Sequence, residues 1–227
     1  MGGKALRTLA LAAVLPGALL LLGAGFVRTF GPIGYWKLDD PAAPARDAIA
    51  SANGTWNGTI TPSTDVPAAL GGANPVFSCG SYQLAIANAP SYIQIPRTAA
   101  LDVVQDASYS ISCWFKPSSL PPATGTNSQY GIVMKTGWNE GITYSGGGVF
   151  AMFHWYGGDA TAVPIVAPTN IASNSFGTTF PPNAWYHLVG LVDQTVTPNE
   201  VRMYVNGALV GSAGTFAATA TFNLYST

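Results

Sequence analysis

The chain has 227 residues, a formal net charge of -1 and only 8% charged residues, against roughly 25% in an average globular domain. Without a basic surface it offers no electrostatic footprint for nucleic acid, and nucleic acid is excluded as a partner. Because 48% of the residues are hydrophobic and 26 are glycine, the composition is typical of an apolar, turn-rich exported protein with uncharged polar residues at its surface.

Residues 1–30 predict a hydrophobic leader helix, either a signal peptide or a membrane anchor. Lys4 and Arg7 precede an apolar run over residues 9–27, and a small-residue cleavage step lies at residues 23–25. The run approaches the ~17 residues that span a bilayer, so both alternatives remain open. Either one places the rest of the chain outside the cytoplasm. We therefore expect a secreted or cell-surface protein that meets a membrane only through an uncleaved anchor.

Short strands bounded by turn residues follow the leader. In chain order, the predicted strands cover residues 33–38, 82–87, 92–95, 109–116, 132–134, 142–144, 149–155, 185–193, 200–205 and 208–210. Residues 88–91 predict a hairpin loop, and Asn206-Gly207 predicts a tight two-residue hairpin. No segment after the leader has a helical apolar period. This pattern favours a β-sandwich over a parallel-sheet enzyme fold.

Six phrases in the chain occur in an order that is typical of one superfamily. They are Tyr-Trp-Lys-Leu-Asp-Asp at residues 35–40, the loop at 47–58, Tyr-Ile-Gln-Ile-Pro at 92–96, Ser-Ile-Ser-Cys-Trp-Phe-Lys-Pro at 110–117, Trp-Tyr-His-Leu opening 185–193, and Val-Arg-Met-Tyr-Val-Asn-Gly at 201–207. Together they resemble the laminin-G-like (LamG) branch of the concanavalin A-like lectin/glucanase superfamily. The resemblance implies an all-β antiparallel sandwich, a concanavalin A-like jelly roll over residues 31–227, preceded by the leader helix.

The resemblance also implies that the jelly roll is truncated at its C-terminus. The family closes with further strands after the point at which this chain stops, at Thr227. The first and last strands of this fold generally pair, so we expect the strand at residues 33–38 to lack part of its ladder.

Catalysis is not expected. The retaining glucanases of this fold carry Glu-x-Asp-x-x-Glu on one strand, whereas this chain has two glutamates, Glu140 and Glu200, far apart in sequence. Adjacent aspartates at 39–40 point to opposite faces of a strand, and those at 102 and 106 lie in a polar loop. His187 is predicted to be a structural, hydrogen-bonded histidine. A glycoside hydrolase with an atypical carboxylate pair remains the lesser alternative.

Calcium is the metal that the resemblance implies, since secreted members of the superfamily often hold one at the rim of the sandwich. Ca²⁺ takes about 6–8 oxygen ligands. The predicted ligands are Asp39, Asp40, Asp47, Asn53 and Asn57. The alternative is a loop of Asx turns that holds no metal.

Two cysteines, Cys79 and Cys113, would lie in an oxidising compartment where a disulfide persists. The alternative is that Cys113, on an apolar strand, is a buried small hydrophobe.

Aromatic residues divide by context. Trp36, Trp114 and Trp185 lie in strand phrases and are predicted to be core. Rings that flank glycines near predicted loop ends are candidate ligand contacts, with an aspartate nearby to accept hydrogen bonds from sugar hydroxyls. These candidate ligand-binding residues are Trp138, Tyr144, Trp155, Tyr156 and Asp159. The alternative is that these rings pack against the loop at 157–180.

The leading functional hypothesis is an extracellular, non-catalytic adhesion or recognition module that binds carbohydrate or an extracellular protein through loops at the rim of the sandwich. The alternative is a structural surface module of a larger exported protein.

Overall fold

The computed structural model describes residues 31–70, 81–84, 91–101, 107–122, 129–135, 140–154, 171–173, 179–210 and 214–216. The predicted leader helix, residues 1–30, lies outside them. Within the described ranges, no helix is long and apolar enough to cross a membrane. The chain forms two compact units, one up to Asp102 and one from Val103.

The N-terminal unit, up to Asp102, contains two small antiparallel ladders. Its elements are β1 (Thr55–Asn57), β2 (Ile60–Ser63), a 3₁₀ turn (Ala68–Leu70), β3 (Ser81–Leu84) and β4 (Tyr92–Gln94). Strand β1 pairs with β4, and β2 pairs with β3. Both ladders join segments that are distant in the sequence.

One strand prediction for this unit is wrong. Residues 33–38 form no strand: Trp36 makes one isolated bridge to Asp47, and Leu38 has a φ of 58°, which an extended strand does not allow. The predicted hairpin across residues 88–91 stays a prediction, because residues 85–90 lie outside the described ranges. Alternating apolar residues bounded by turn residues favour a strand, but long-range packing decides whether that strand forms and which strand it pairs with.

The C-terminal unit, from Val103, is an antiparallel β-sandwich. Its strands are β5 (Tyr109–Phe115), β6 (Gln129–Lys135), β7 (Glu140–Ser145), β8 (Val149–His154), β9 (Ile171–Ser173), β10 (Tyr186–Asp193), β11 (Asn199–Val205), β12 (Ala208–Leu209) and β13 (Gly214–Phe216). One sheet has the order β12-β11-β10-β5, with β13 also pairing with β11, and the other has the order β6-β7-β8-β9. The predicted all-β antiparallel sandwich is confirmed.

A single apolar core lies between these two sheets, because alternate side chains of each strand point inward. From the four-stranded sheet it contains Ile142, Tyr144, Phe150 and Met152, and from the five-stranded sheet Tyr186, Leu188, Val192, Val201, Met203 and Val205. Gly190 lets β10 approach the facing sheet closely, since a Cβ there would stand 2.5 Å from Sδ of Met152.

Phe150 lies at the centre of an aromatic cluster in this core. Its ring centroid is 4.8 Å from that of Tyr144, 5.3 Å from that of Tyr186 and 5.4 Å from that of Phe180. The hydroxyl of Tyr144 donates to the Phe180 carbonyl and that of Tyr186 to the Pro181 carbonyl, both at 2.7 Å. The two tyrosines therefore bury their rings without leaving a polar group unsatisfied.

Cys113 is a free cysteine on β5 that packs against the core. Burial raises the pKa of its thiol to about 12, so the reactive thiolate is not populated at neutral pH. Cys79 lies outside the described residues.

The hairpin that joins β11 to β12 matches the sequence prediction. Asn206 has a φ of 51° and Gly207 a φ of 81°, the two consecutive positive values that a two-residue turn of this type requires. The backbone N–H of Val210 donates to the carbonyl of Met203 at 2.9 Å beyond the turn.

The core allows a matched leucine comparison. Leu188 is fully buried whereas Leu209 is 53% exposed. We expect Leu188→Ala to lower the free energy of unfolding by about 2–5 kcal/mol, because it removes buried methyl groups and leaves a cavity. Leu209→Ala should change it by less than about 0.5 kcal/mol. Urea unfolding curves measure both, and equal midpoints for the two variants would contradict this account of the core.

Candidate functional site

Of the five residues predicted to contact a ligand, only Tyr144 lies within the described part of the chain. Tyr144 is fully buried and bonded to Phe180, so it belongs to the core and is not an exposed binding ring. Its position on β7, one residue from a turn, places its ring on the inward face. The other four residues, Trp138, Trp155, Tyr156 and Asp159, lie outside the described ranges and remain predictions.

The acidic loop predicted to bind calcium is organised by Asp47. Its Oδ1 accepts the backbone N–H groups of Tyr35 and Ile49, each at 3.0 Å, and its own N–H donates to Oδ1 of Asn53 at 3.0 Å. Although burial works to raise the pKa of Asp47, hydrogen bonds from the backbone amides of Tyr35, Ile49, Ala50 and Ala52 hold it below its ordinary value. Asp47 is therefore an ionised carboxylate that fastens backbone amides, as in the Asx-turn alternative.

The remaining predicted calcium ligands also have partners within the protein. Oδ2 of Asp39 accepts from Nζ of Lys37 at 2.9 Å, and Oδ2 of Asp40 accepts the backbone N–H of Arg46 at 2.8 Å. Nδ2 of Asn57 donates to the Thr55 carbonyl at 3.3 Å.

The five predicted ligands fit a calcium ion poorly in this arrangement. Oδ2 of Asp47 is buried without a hydrogen-bond partner, as an ion ligand could be. Within the described ranges, however, no group of three or more His, Cys, Asp or Glu side chains could hold a metal ion. A calcium ion would have to displace hydrogen bonds that already fasten the loop.

A different set of polar and aromatic residues does come together, on the outer face of the five-stranded sheet. Because alternate residues of β5, β10 and β11 fill the core, the residues between them must point the other way. We call these residues the outer face: Ser110, Ser112, Trp114, His187, Val189, Leu191, Asp193, Glu200, Arg202 and Tyr204.

One end of the outer face, the aromatic end, comprises Ser112, Trp114, His187, Val189 and Tyr204. Trp114 and His187 are directly opposite each other on β5 and β10, with ring centroids 5.0 Å apart. Val189 lies between Ser112 on one side and Tyr204 on the other. The aromatic end therefore carries three rings from three adjacent strands, and Trp114 is an outer-face residue instead of the predicted core residue.

His187 is held firmly within the aromatic end. Its Nε2 lies 2.9 Å from Oγ of Ser112. Its backbone N–H donates to Oδ1 of Asn206 at 2.9 Å, and its carbonyl accepts the Asn206 N–H at 2.8 Å. Burial lowers the pKa of His187 below its ordinary value of 6.5, so the ring is neutral at pH 7.

The other end of the outer face, the charged end, comprises Asp193, Glu200 and Arg202. Asp193 and Glu200 are directly opposite each other in the β10–β11 ladder, a pair of carboxylates that the sequence analysis did not identify. Arg202 bonds to both: Nη1 lies 3.4 Å from Oδ2 of Asp193, and Nε donates to Oε2 of Glu200 at 2.8 Å. Nη2 of Arg202 donates to the same oxygen of Glu200.

Asp193 does not have the raised pKa of a glycosidase acid. Burial works to raise the pKa of Asp193, but hydrogen bonds from Thr195 and the charge of Arg202 hold it below its ordinary value. A glycosidase instead requires one carboxyl group whose pKa is raised, so that it stays protonated and can donate to the leaving group. Within the described residues, the only directly opposed carboxylates both bind one arginine.

The polar and aromatic outer face, in which only the two serines are exposed, lies on one sheet of a β-sandwich, an architecture that hosts binding modules. A laminin-G family model, described as the concanavalin A-like lectin/glucanases superfamily, matches residues 88–226. The chain belongs to this superfamily, which confirms the resemblance noted in its sequence. Searches of the curated proteins and of the solved structures found no match.

The calcium prediction has a direct test. Bound Ca²⁺ stabilises the native state by mass action, so calcium at this loop requires the Tm to rise in millimolar Ca²⁺ and to fall again with a chelator. Asp47→Asn, which removes the charge of the central carboxylate, should abolish the rise, whereas Asp193→Asn, a control in the other unit, should keep it. A Tm that does not change with calcium would contradict the prediction and favour the alternative, a loop of Asx turns.

His187 predicts a pH dependence of stability. Its pKa is lowered in the folded state, so the unfolded chain binds the proton more tightly. The contribution of His187 to the stability of the folded state is complete above pH 6.5. It is lost as the pH falls toward the lowered pKa of His187 in the folded state. We expect the Tm to fall between about pH 7 and pH 5, and to fall less in His187→Gln. Asp47 and Asp193 do not contribute in this window, because their pKa values lie below 3.8. An equal fall of the Tm with pH in the wild-type protein and in His187→Gln would refute this assignment.

Proposed function

We propose that the protein is an extracellular, non-catalytic recognition module that binds a glycan at the aromatic end of the outer face. The observation that carries this proposal is the alignment of three rings, Trp114, His187 and Tyr204, on one face of adjacent strands. Aromatic faces stack against the apolar faces of sugars, and such rings are frequent anchors in binding sites.

The dimensions of the aromatic end support a ligand longer than one sugar ring. Neighbouring strands are roughly 4.8 Å apart, so the backbones of β5 and β11 at Trp114 and Tyr204 are separated by roughly 10 Å across the sheet. The exposed Ser112 lies on β5, two residues before Trp114 and opposite Val189, and its hydroxyl can exchange hydrogen bonds with sugar hydroxyls.

The charges around the aromatic end support a neutral ligand. His187 is uncharged at pH 7, since burial lowers its pKa. The charges of the neighbouring Asp193, Glu200 and Arg202 are satisfied mainly by one another. A site with rings and hydroxyls but without an unmatched cation suits a neutral glycan better than a uronate or sulfated one.

The extracellular location rests on the predicted leader at residues 1–30 and on the low charge of the chain. A protein ligand and a purely structural role are the competing proposals, and both predict the absence of glycan binding.

A glycan array with two variants tests the proposed site. Trp114→Ala should weaken binding to neutral glycans by about tenfold or more, the loss expected for one aromatic anchor. Trp155→Ala tests the predicted loop site instead, and Leu209→Ala, an exposed residue outside both sets, serves as the control. Loss of binding in Trp155→Ala with full binding in Trp114→Ala would place the site at the loops. Binding of the wild-type protein to no glycan would reject the function.

A further inference from the structure

The N-terminal unit carries a second surface whose chemistry resembles that of the aromatic end. In the β1–β4 ladder, Asn57 lies opposite Tyr92 and Thr55 lies opposite Gln94, so these four side chains share one face of the ladder. We call them the Tyr92 face. Tyr92 is 47% exposed, Thr55 and Gln94 are also exposed, and Asn57 is half-buried. An exposed ring thus lies among uncharged donors and acceptors.

Close packing beneath the ladder holds this face in place. Trp56 and Ile93, which are opposite each other, point to the other side of the ladder. Gly54 lies so near Ile93 that a Cβ added there would collide with Cγ2 of Ile93 and stand 2.7 Å from Cδ1 of Ile95. The strand that carries Tyr92 therefore rests on a tightly packed layer.

Hydrogen bonds fix both ends of β1. Before the strand, Ala45 and Gly54 exchange two backbone hydrogen bonds, at 2.9 and 2.7 Å. After it, Gly58 turns the chain with a φ of 73°, and the N–H of Thr59 donates to Oγ of Ser91 at 2.9 Å, directly before Tyr92. A ring on a ladder fastened in this way loses little conformational freedom when a ligand binds.

We infer that the Tyr92 face is a second glycan-binding surface, with a neutral sugar stacked on the Tyr92 ring. The side chains of Asn57, Gln94 and Thr55 supply the amide and hydroxyl groups that would bond to its hydroxyls. A charged sugar gains nothing there, because the face has no charged side chain. This inference rests on the proposed glycan-binding function but uses a different surface, in a different unit of the chain.

Two separate surfaces for one class of ligand have a measurable consequence. A short oligosaccharide occupies them independently, whereas a polymer that engages both binds more tightly, because the second contact becomes intramolecular. We therefore expect two molecules of a short neutral oligosaccharide per chain, and one when either surface is removed.

The experiment uses a panel of neutral polysaccharides (glucans, mannans, galactans and xylans) and their short oligosaccharides, with pectate and alginate as acidic counterparts. Calorimetry gives the stoichiometry for the wild-type chain, Tyr92→Ala, Trp114→Ala and the control Leu209→Ala. Tyr92→Phe keeps the ring and should keep the binding. Nitration by tetranitromethane gives a local reading, since Tyr92 is exposed while Tyr144 and Tyr186 are buried, and a bound neutral glycan should slow its modification.

The possible results separate this inference from the proposed function. The inference is supported if Tyr92→Ala has one site per chain and if a bound glycan protects Tyr92 from nitration in the wild-type chain. Unchanged binding in Tyr92→Ala, with loss of binding in Trp114→Ala, overturns it and leaves the outer-face site standing. Loss of glycan binding in Tyr92→Ala but not in Trp114→Ala rejects the outer-face site and supports the Tyr92 face. Binding to no neutral glycan overturns both.

Discussion

Strand β10 lies between β5 and β11, and the alternation of its side chains determines both faces of the five-stranded sheet. Leu188 fills the core, so His187 and Asp193 must face outward. A slip of one residue would exchange the two sets and bury a histidine and a carboxylate in an apolar core. Gly190 fixes the register further, because a larger residue at that position would collide with Met152. The core and the outer face are therefore specified by the same residues.

In the N-terminal unit, a carboxylate accepts a backbone hydrogen bond of the kind that a neighbouring strand accepts in a β-ladder. Within the described ranges, residues 33–38 make one isolated bridge, between Trp36 and Asp47, and the Tyr35 N–H donates to Oδ1 of Asp47. Burying this carboxylate is costly, but several hydrogen bonds from backbone amides favour its ionised form and offset the cost. The same loop leads to Ala45 and Gly54, whose paired hydrogen bonds precede β1. The geometry of Asp47 thus supports the ladder on which Tyr92 lies.

The sequence predicted what depends on neighbouring residues and missed what depends on distant ones. The strand at 109–116 and the Asn206-Gly207 hairpin were predicted because alternation and turn chemistry are local. The partner of β4 was not, since it comes from residues 55–57. Trp114 was predicted to be core because it lies in a strand phrase, although alternation with the inward Cys113 already placed it on the outer face. No local signal could have identified the pairing of Asp193 with Glu200 across two strands.

The superfamily fold hosts both binding modules and hydrolases, so the chemistry of particular residues must distinguish them. A carboxylate pair by itself does not make a glycosidase, because the reaction needs one of the two groups to be protonated. In the charged end, Arg202 bonds to both carboxylates, and its positive charge helps to keep the pKa of Asp193 below its ordinary value. Replacing that arginine alone would not make Asp193 an acid, since Thr195 also bonds to it. The charged end is therefore an ion-paired surface beside a ring-lined one, and Asp193 takes part in it as a hydrogen-bond acceptor.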